Sequence, residues 1–171
     1  PIKDPTHRPE SDPHVSSSTV SPGVTHYVGL VPVSAIATNL PNTPNLRAAN
    51  IKTQVAKDVA VSLRKNDGNF HLKNKGITML ATSVSRSGEG WDVVLTPSIT
   101  QDSDGILDGG HTYAVICDAR KDSVRLDKQY VFVYVRTNVP IEGNLRAQIA
   151  EALNKTTAVS AGSLLNRLGE F

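Results

Sequence analysis

Apolar positions recur along this chain with two periods. Residues 130–136 (YVFVYVR) alternate valine with aromatic side chains, which predicts a strand apolar on both faces and therefore central in a sheet. Ile51, Val55, Val59 and Leu63 recur every four residues, the stripe of an amphipathic helix over about 47–65. Asn66, Asp67, Gly68 and Asn69 end it. Residues 26–37 are valine-rich and predict a strand with a turn after Pro32, and the Pro and Asn of 39–45 (NLPNTPN) predict a loop. Residues 76–85 and 91–96 predict a hairpin turning at Gly88 and Gly90, and a third short strand ends at Leu107. Two helices close the chain: about 143–154, with Leu145, Ile149 and Leu153 on one face, and about 160–168, with Leu164, Leu165 and Leu168. This order predicts an α+β fold, a mixed β-sheet with packed helices. Residues 1–24 show no apolar periodicity and read as a flexible tail, leaving 25–171 as one domain.

Composition narrows the function classes. No apolar run approaches a membrane span, and residues 1–19 contain no apolar core of a signal peptide. The single cysteine, Cys117, excludes an internal disulfide and points to a reducing, cytoplasmic location. It lies in an apolar run and reads as a buried structural thiol. One cysteine and five scattered histidines make no zinc-type spacing, so no metal site is expected. Charge is uneven. Residues 43–86 hold eight basic side chains against Asp58 and Asp67, whereas 87–127 hold eight acids against Arg120, Lys121 and Arg125. The basic segment can attract a polyanion, or the two segments can face each other and cancel.

Candidate chemistry concentrates in residues 106–117 (ILDGGHTYAVIC), read as a strand end, a tight turn and a helix. Gly109 and Gly110 leave the backbone bare, and the helix start offers unpaired N–H groups and a positive dipole end to an anion such as phosphate. His111 and Thr112 sit at that start. The plainer reading is a strand-to-helix turn capped by Thr112. Asp108 either orients His111 or holds a metal, or else bonds the turn's own N–H groups. Lys73 and Lys75, flanking Asn74, are phosphate contacts or a solvated edge, and Asn74 with Gly76 is a pocket rim or a simple turn. Asp102 and Asp104 read as a hairpin turn rather than a calcium loop. Asn154 lines the same cleft or caps its helix. No G-x-S-x-G elbow, Walker loop or dinucleotide loop occurs.

Three pieces in order carry a resemblance: FHLKNKGITMLA (70–81), ILDGGHTYAVI (106–116) and ALNKTTAVSAGSLL (152–165). They resemble the AIPR (abortive infection phage resistance) proteins and their DGQHR-domain relatives. The looser order of elements, back to about residue 27, resembles the ParB/sulfiredoxin-like fold, where such a turn holds nucleotide phosphates. The resemblance implies an antiviral-defence or DNA-modification-associated module that binds nucleic acid or a nucleotide, with Mg2+ as the nucleotide's companion. The binding residues would be Lys73, Asn74, Lys75, Gly109, Gly110, His111, Thr112 and Asn154. The alternative is a phosphate-directed enzyme, a metal-dependent nuclease or a nucleotide hydrolase or kinase, using His111 and Asp108. A third reading is a sensor or assembly domain whose pocket no longer binds. This chain departs from the motif at Thr112, where the resembling turns carry arginine. Threonine offers a hydroxyl in place of a forked cation, so Lys73 or Lys75 would have to supply the charge.

Overall fold

The computed structural model describes residues 16–21, 23–45, 49–88, 90–96 and 103–155. At its centre is β7 (Tyr130–Thr137), whose Val131, Val133 and Val135 enter the main core while Phe132, Tyr134 and Arg136 alternate onto the other face. A strand apolar on both faces belongs in the interior of a sheet, and β7 has neighbours on both edges. β2 (Val24–Pro32) pairs with it antiparallel and β3 (Ile77–Ala81) parallel. β1 (Ser16–Ser21) extends one edge and β6 (Gly105–Asp108) the other, in the order β1-β2-β7-β3-β6. One parallel pair among antiparallel ones makes the sheet mixed, in the α+β class expected.

β1 revises the expected tail. Sequence reading carries the tail to residue 24, yet Ser16–Ser21 pairs with β2 across a turn at Gly23, where φ is +87°. Backbone pairing needs no apolar pattern, because an open strand edge offers N–H and C=O groups to any extended segment. Residues 1–15 lie outside the described residues.

The helix expected over 47–65 is shorter. Asn50 turns the chain by accepting the Lys52 N–H at 2.9 Å on its side chain, a local bond that competes with helix. Thr53 then caps α1 (Gln54–Arg64), its hydroxyl accepting the Ala56 N–H at 3.2 Å. Ile51 therefore precedes the helix and is exposed, and the buried stripe rotates to Ala56 and Leu63, leaving Val55 66 % exposed. Asn66 and Gly68, both at positive φ, end the turn beyond α1.

The β-rich run 76–85 divides at Thr82. β4 (Ser83–Ser87) leaves the main sheet and pairs with β5 (Gly90–Val94) in a separate hairpin. Its Trp91 lies on Gly29 of β2, where an added Cβ would come within 2.8 Å of the ring. The branch is pinned by Asp104, which accepts the Thr82 hydroxyl at 2.6 Å and the Thr96 N–H at 2.9 Å. Asp104 is no hairpin turn. It is buried and forms a 3.1 Å ion pair with Arg146, also buried, while Asp102 lies outside the described residues.

Two layers of helix complete the molecule. α2 (Gly110–Lys121) packs beside α1 over the valine face, with Arg64 meeting Asp122 at 3.0 Å. α3 (Leu145–Asn154) packs on the opposite face, where Ile149, Ala150 and Leu153 meet Leu80, Leu107 and Val139. Among the described residues no helix is long and apolar enough to cross a membrane. The helix expected over 160–168 lies outside the described residues.

Candidate functional site

β6 ends at Asp108, whose carboxylate accepts the Gly109 N–H at 2.7 Å. Gly109 takes a left-handed conformation (φ +83°), and an added Cβ there would collide with the Gly76 carbonyl. Gly110 opens α2 under the loop of 39–45, and an added Cβ would collide with the Asn45 amide. Gly109 is thus required by close backbone approach to the start of β3, whereas Gly110 makes room for the side chains of Asn42 and Asn45. The helix proper starts with the Tyr113 N–H bonded to the Gly109 carbonyl at 2.9 Å. Gly109 supplies no side-chain cap, so the cap expected from Thr112 is not there. The earlier N–H groups of α2 have no intrahelical acceptor and carry the positive end of its dipole.

Thr112 is buried one turn in, and its hydroxyl accepts from the Asn74 amide at 2.9 Å. The same Asn74 accepts the Gly76 N–H at 2.8 Å. Where the resembling turns place an arginine, this chain therefore locks the segment before β3 against the helix start. Asn74 and Thr112 act as a clasp. That clasp carries Lys73 and Lys75 to the rim of the turn. Lys73 is shared with Asp67 at 3.6 Å, and the Asp67 carboxyl lies below its usual range because it accepts the Asn69 N–H, with Lys73 adding to the effect. Lys75 is exposed and has no ion pair among the described residues.

Asn154 closes the far side. Its amide donates to the Leu107 carbonyl at 3.1 Å and the Ala150 carbonyl at 2.7 Å, tying α3 to the end of β6. The helix C-cap is Lys155 rather than Asn154. Lys73, Asn74, Lys75, Asp108, Gly109, Gly110, His111, Thr112 and Asn154, distant in sequence, line one cleft of about 320 Å³.

Other lining residues were not singled out from the sequence. Val55 and Val59 from α1 and Leu153 from α3 add apolar surface to the lining. Both valines belonged to a stripe read wholly as core, and only the rotation of α1 brings Val55 to the cleft. Asn45 comes from the loop, and nothing beyond its turn-forming composition marked it. Tyr113 holds that loop down: its hydroxyl accepts the Leu40 N–H at 2.8 Å, and burial pushes it up to about 12, aided by the Cys117 thiol beside it. Beside Gly110, the Asn42 side-chain oxygen is buried without a hydrogen-bond partner among the described residues.

Chemically, the cleft combines ammonium and N–H donors with apolar side chains. His111, half-buried, lines it as well. Among the described residues no three His, Cys, Asp or Glu side chains gather as a metal-ligand group. No curated protein and no solved structure matches the chain. A family model described as AIPR protein matches residues 43–167, taking in α1, the Asn74 clasp, the glycine turn and α3. The chain belongs to the AIPR family.

Proposed function

We propose that this AIPR protein is a phage-defence module that binds the phosphate of a nucleotide or nucleic acid at the glycine turn. One observation carries the reading: the α2 N-terminus, Lys75 and His111 line a single cleft together with the apolar side chains of Val55, Val59 and Leu153. Backbone N–H groups at a helix start, a nearby ammonium and an imidazole are the donors that phosphate oxygens require. Val55, Val59 and Leu153 offer the apolar surface that a base or sugar covers. The defence context follows from the family's association with abortive infection. The ParB/sulfiredoxin-like arrangement is part of the same reading and rests on the order of elements.

A thermal-shift series with nucleoside di- and triphosphates, with and without magnesium, tests it. Ligand at a hundredfold excess over Kd stabilises the native state by about 2.7 kcal/mol. The shift should fall in Lys75→Ala and vanish in His111→Ala, with both variants folded. Absence of any shift with nucleotides or oligonucleotides at low salt would overturn the proposal. Turnover that needs magnesium and disappears in His111→Ala would move the protein to the class of phosphate-directed enzymes, with Asp108 beside it.

A further inference from the structure

Among the described residues, the face of the sheet away from α1 and α2 is only partly covered. α3 takes Leu80, Leu107 and Val139, but neither core cluster includes Val28, Leu30, Phe132 or Tyr134, each partly exposed. On β7 the rings of Phe132 and Tyr134 lie side by side, centroids 6.1 Å apart and planes inclined by 28°. The His71 ring meets Phe132 edge-on at 6.0 Å, and its Nδ1 is buried without a partner among the described residues. This strip abuts the cleft, because Gly76 sits so close to β7 that an added Cβ would strike the Phe132 carbonyl. Lys75, on the cleft rim, is the neighbouring residue.

The central strands of this face hold no carboxylate of their own. β2, β3 and β7 contain no acidic residue, whereas His26 and Arg136 stand opposite each other in the β2–β7 register. Arg136 has no carboxylate partner among the described residues, although its guanidinium is partly buried. Paired aromatic rings on strands that hold Arg136 and no carboxylate match the bases and phosphates of an unpaired strand. A duplex keeps its base faces stacked internally and leaves such rings unused.

We propose that Phe132 and Tyr134 form a stacking platform for single-stranded nucleic acid, continuing the cleft across the sheet with the phosphate chain passing Lys75 and Arg136. The inference rests on the reading of the cleft given above and specifies its ligand as a polymer rather than a free nucleotide.

The test is fluorescence anisotropy of the full chain at low salt, with a short labelled single strand of mixed sequence and with the same sequence as a duplex. Phe132→Leu and Tyr134→Leu remove a ring and keep apolar volume, and Tyr134→Phe keeps the ring. Each leucine variant should weaken single-strand binding roughly tenfold, and Tyr134→Phe should bind as the unaltered chain does. Circular dichroism melts confirm folding, and should Phe132→Leu unfold, the Tyr134 pair decides alone. Equal affinity for the duplex, wild-type affinity in Tyr134→Leu, or equal competition by poly-glutamate would each overturn the platform. If nucleotides still bind in the cleft, the platform alone fails. If neither strands nor nucleotides bind, the reading of the cleft fails with it.

Discussion

Tyr113 links a single hydroxyl to the shape of the cleft. It is 8 % exposed, and its oxygen accepts the Leu40 N–H at the start of the loop that carries Asn42 and Asn45 over Gly110. Its ionisation is raised from 10.0 to about 12, first by burial and then by the neighbouring Cys117. A folded-state pKa above the unfolded one means the fold holds the proton more tightly. The resulting stability is complete below pH 10 and is lost as pH rises from 10 toward about 12. Tyr113→Phe strands the Leu40 N–H, at a cost of about 1 kcal/mol. Urea melts across that alkaline window should show a smaller pH-dependent loss in Tyr113→Phe than in the unaltered chain. Parallel curves would mean the hydroxyl titrates outside the folding equilibrium. Thr112 teaches a related point: a residue at a motif's charged position here makes a buried hydrogen bond, so its role comes from Asn74.

Elements are joined in this protein by polar groups as much as by apolar faces. Arg146 of α3 donates through Nε and Nη2 to the Val139 carbonyl, at 3.1 and 2.9 Å, and pairs with Asp104, which in turn holds the β3–β4 branch. Arg146→Met would leave Asp104 charged and buried without its partner, a loss of about 3–5 kcal/mol. Urea denaturation followed by circular dichroism should show the midpoint falling accordingly. A change of a few tenths would mean that water reaches Asp104. This network was invisible in the sequence because nothing local marks two residues 42 positions apart as partners; Asp104 in QDSDG looked like a turn. The elements themselves were largely legible. YVFVYVR announced β7 and ILDGGHT announced the β6–α2 turn, since strand alternation and paired glycines are short-range signals. Missed features had long-range or backbone causes: the Asn50 turn that shortened α1, the division at Thr82, and the edge pairing that drew in Ser16–Ser21. The candidate site was legible for the same reason as the elements. Apart from Asn45, its polar residues lie in three short segments, whereas Val55 reaches the cleft only through the rotation of α1.

At the scale of the molecule, the uneven charge of the sequence is partly cancelled by the fold. The basic and acidic segments meet where Arg64 of α1 approaches Asp118 at 3.9 Å and Asp122 at 3.0 Å on α2. Lys73 is shared with Asp67 inside the basic segment itself. What reaches the cleft is therefore local: Lys75, part of Lys73, His111 and the N–H groups of α2. A ligand held this way displaces few counterions. For a single strand, log K falls against log salt with a slope of about −0.7 per phosphate neutralised. Contacts with two phosphates give about −1.4, and Lys75→Ala should bring the slope nearer zero by about one contact. Titration of the labelled strand across a salt series measures it directly. A slope steep enough for six or more phosphates, about −4, would show that the basic residues of 43–86 act as one extended face despite their ion pairs. A shallow slope abolished by neither Lys75→Ala nor His111→Ala would put the binding elsewhere on the molecule. The shallow, Lys75-dependent slope is the outcome this fold leads us to expect, because Arg64 is taken up by Asp118 and Asp122 and Lys73 by Asp67, and only Lys73 and Lys75 of the basic segment line the cleft.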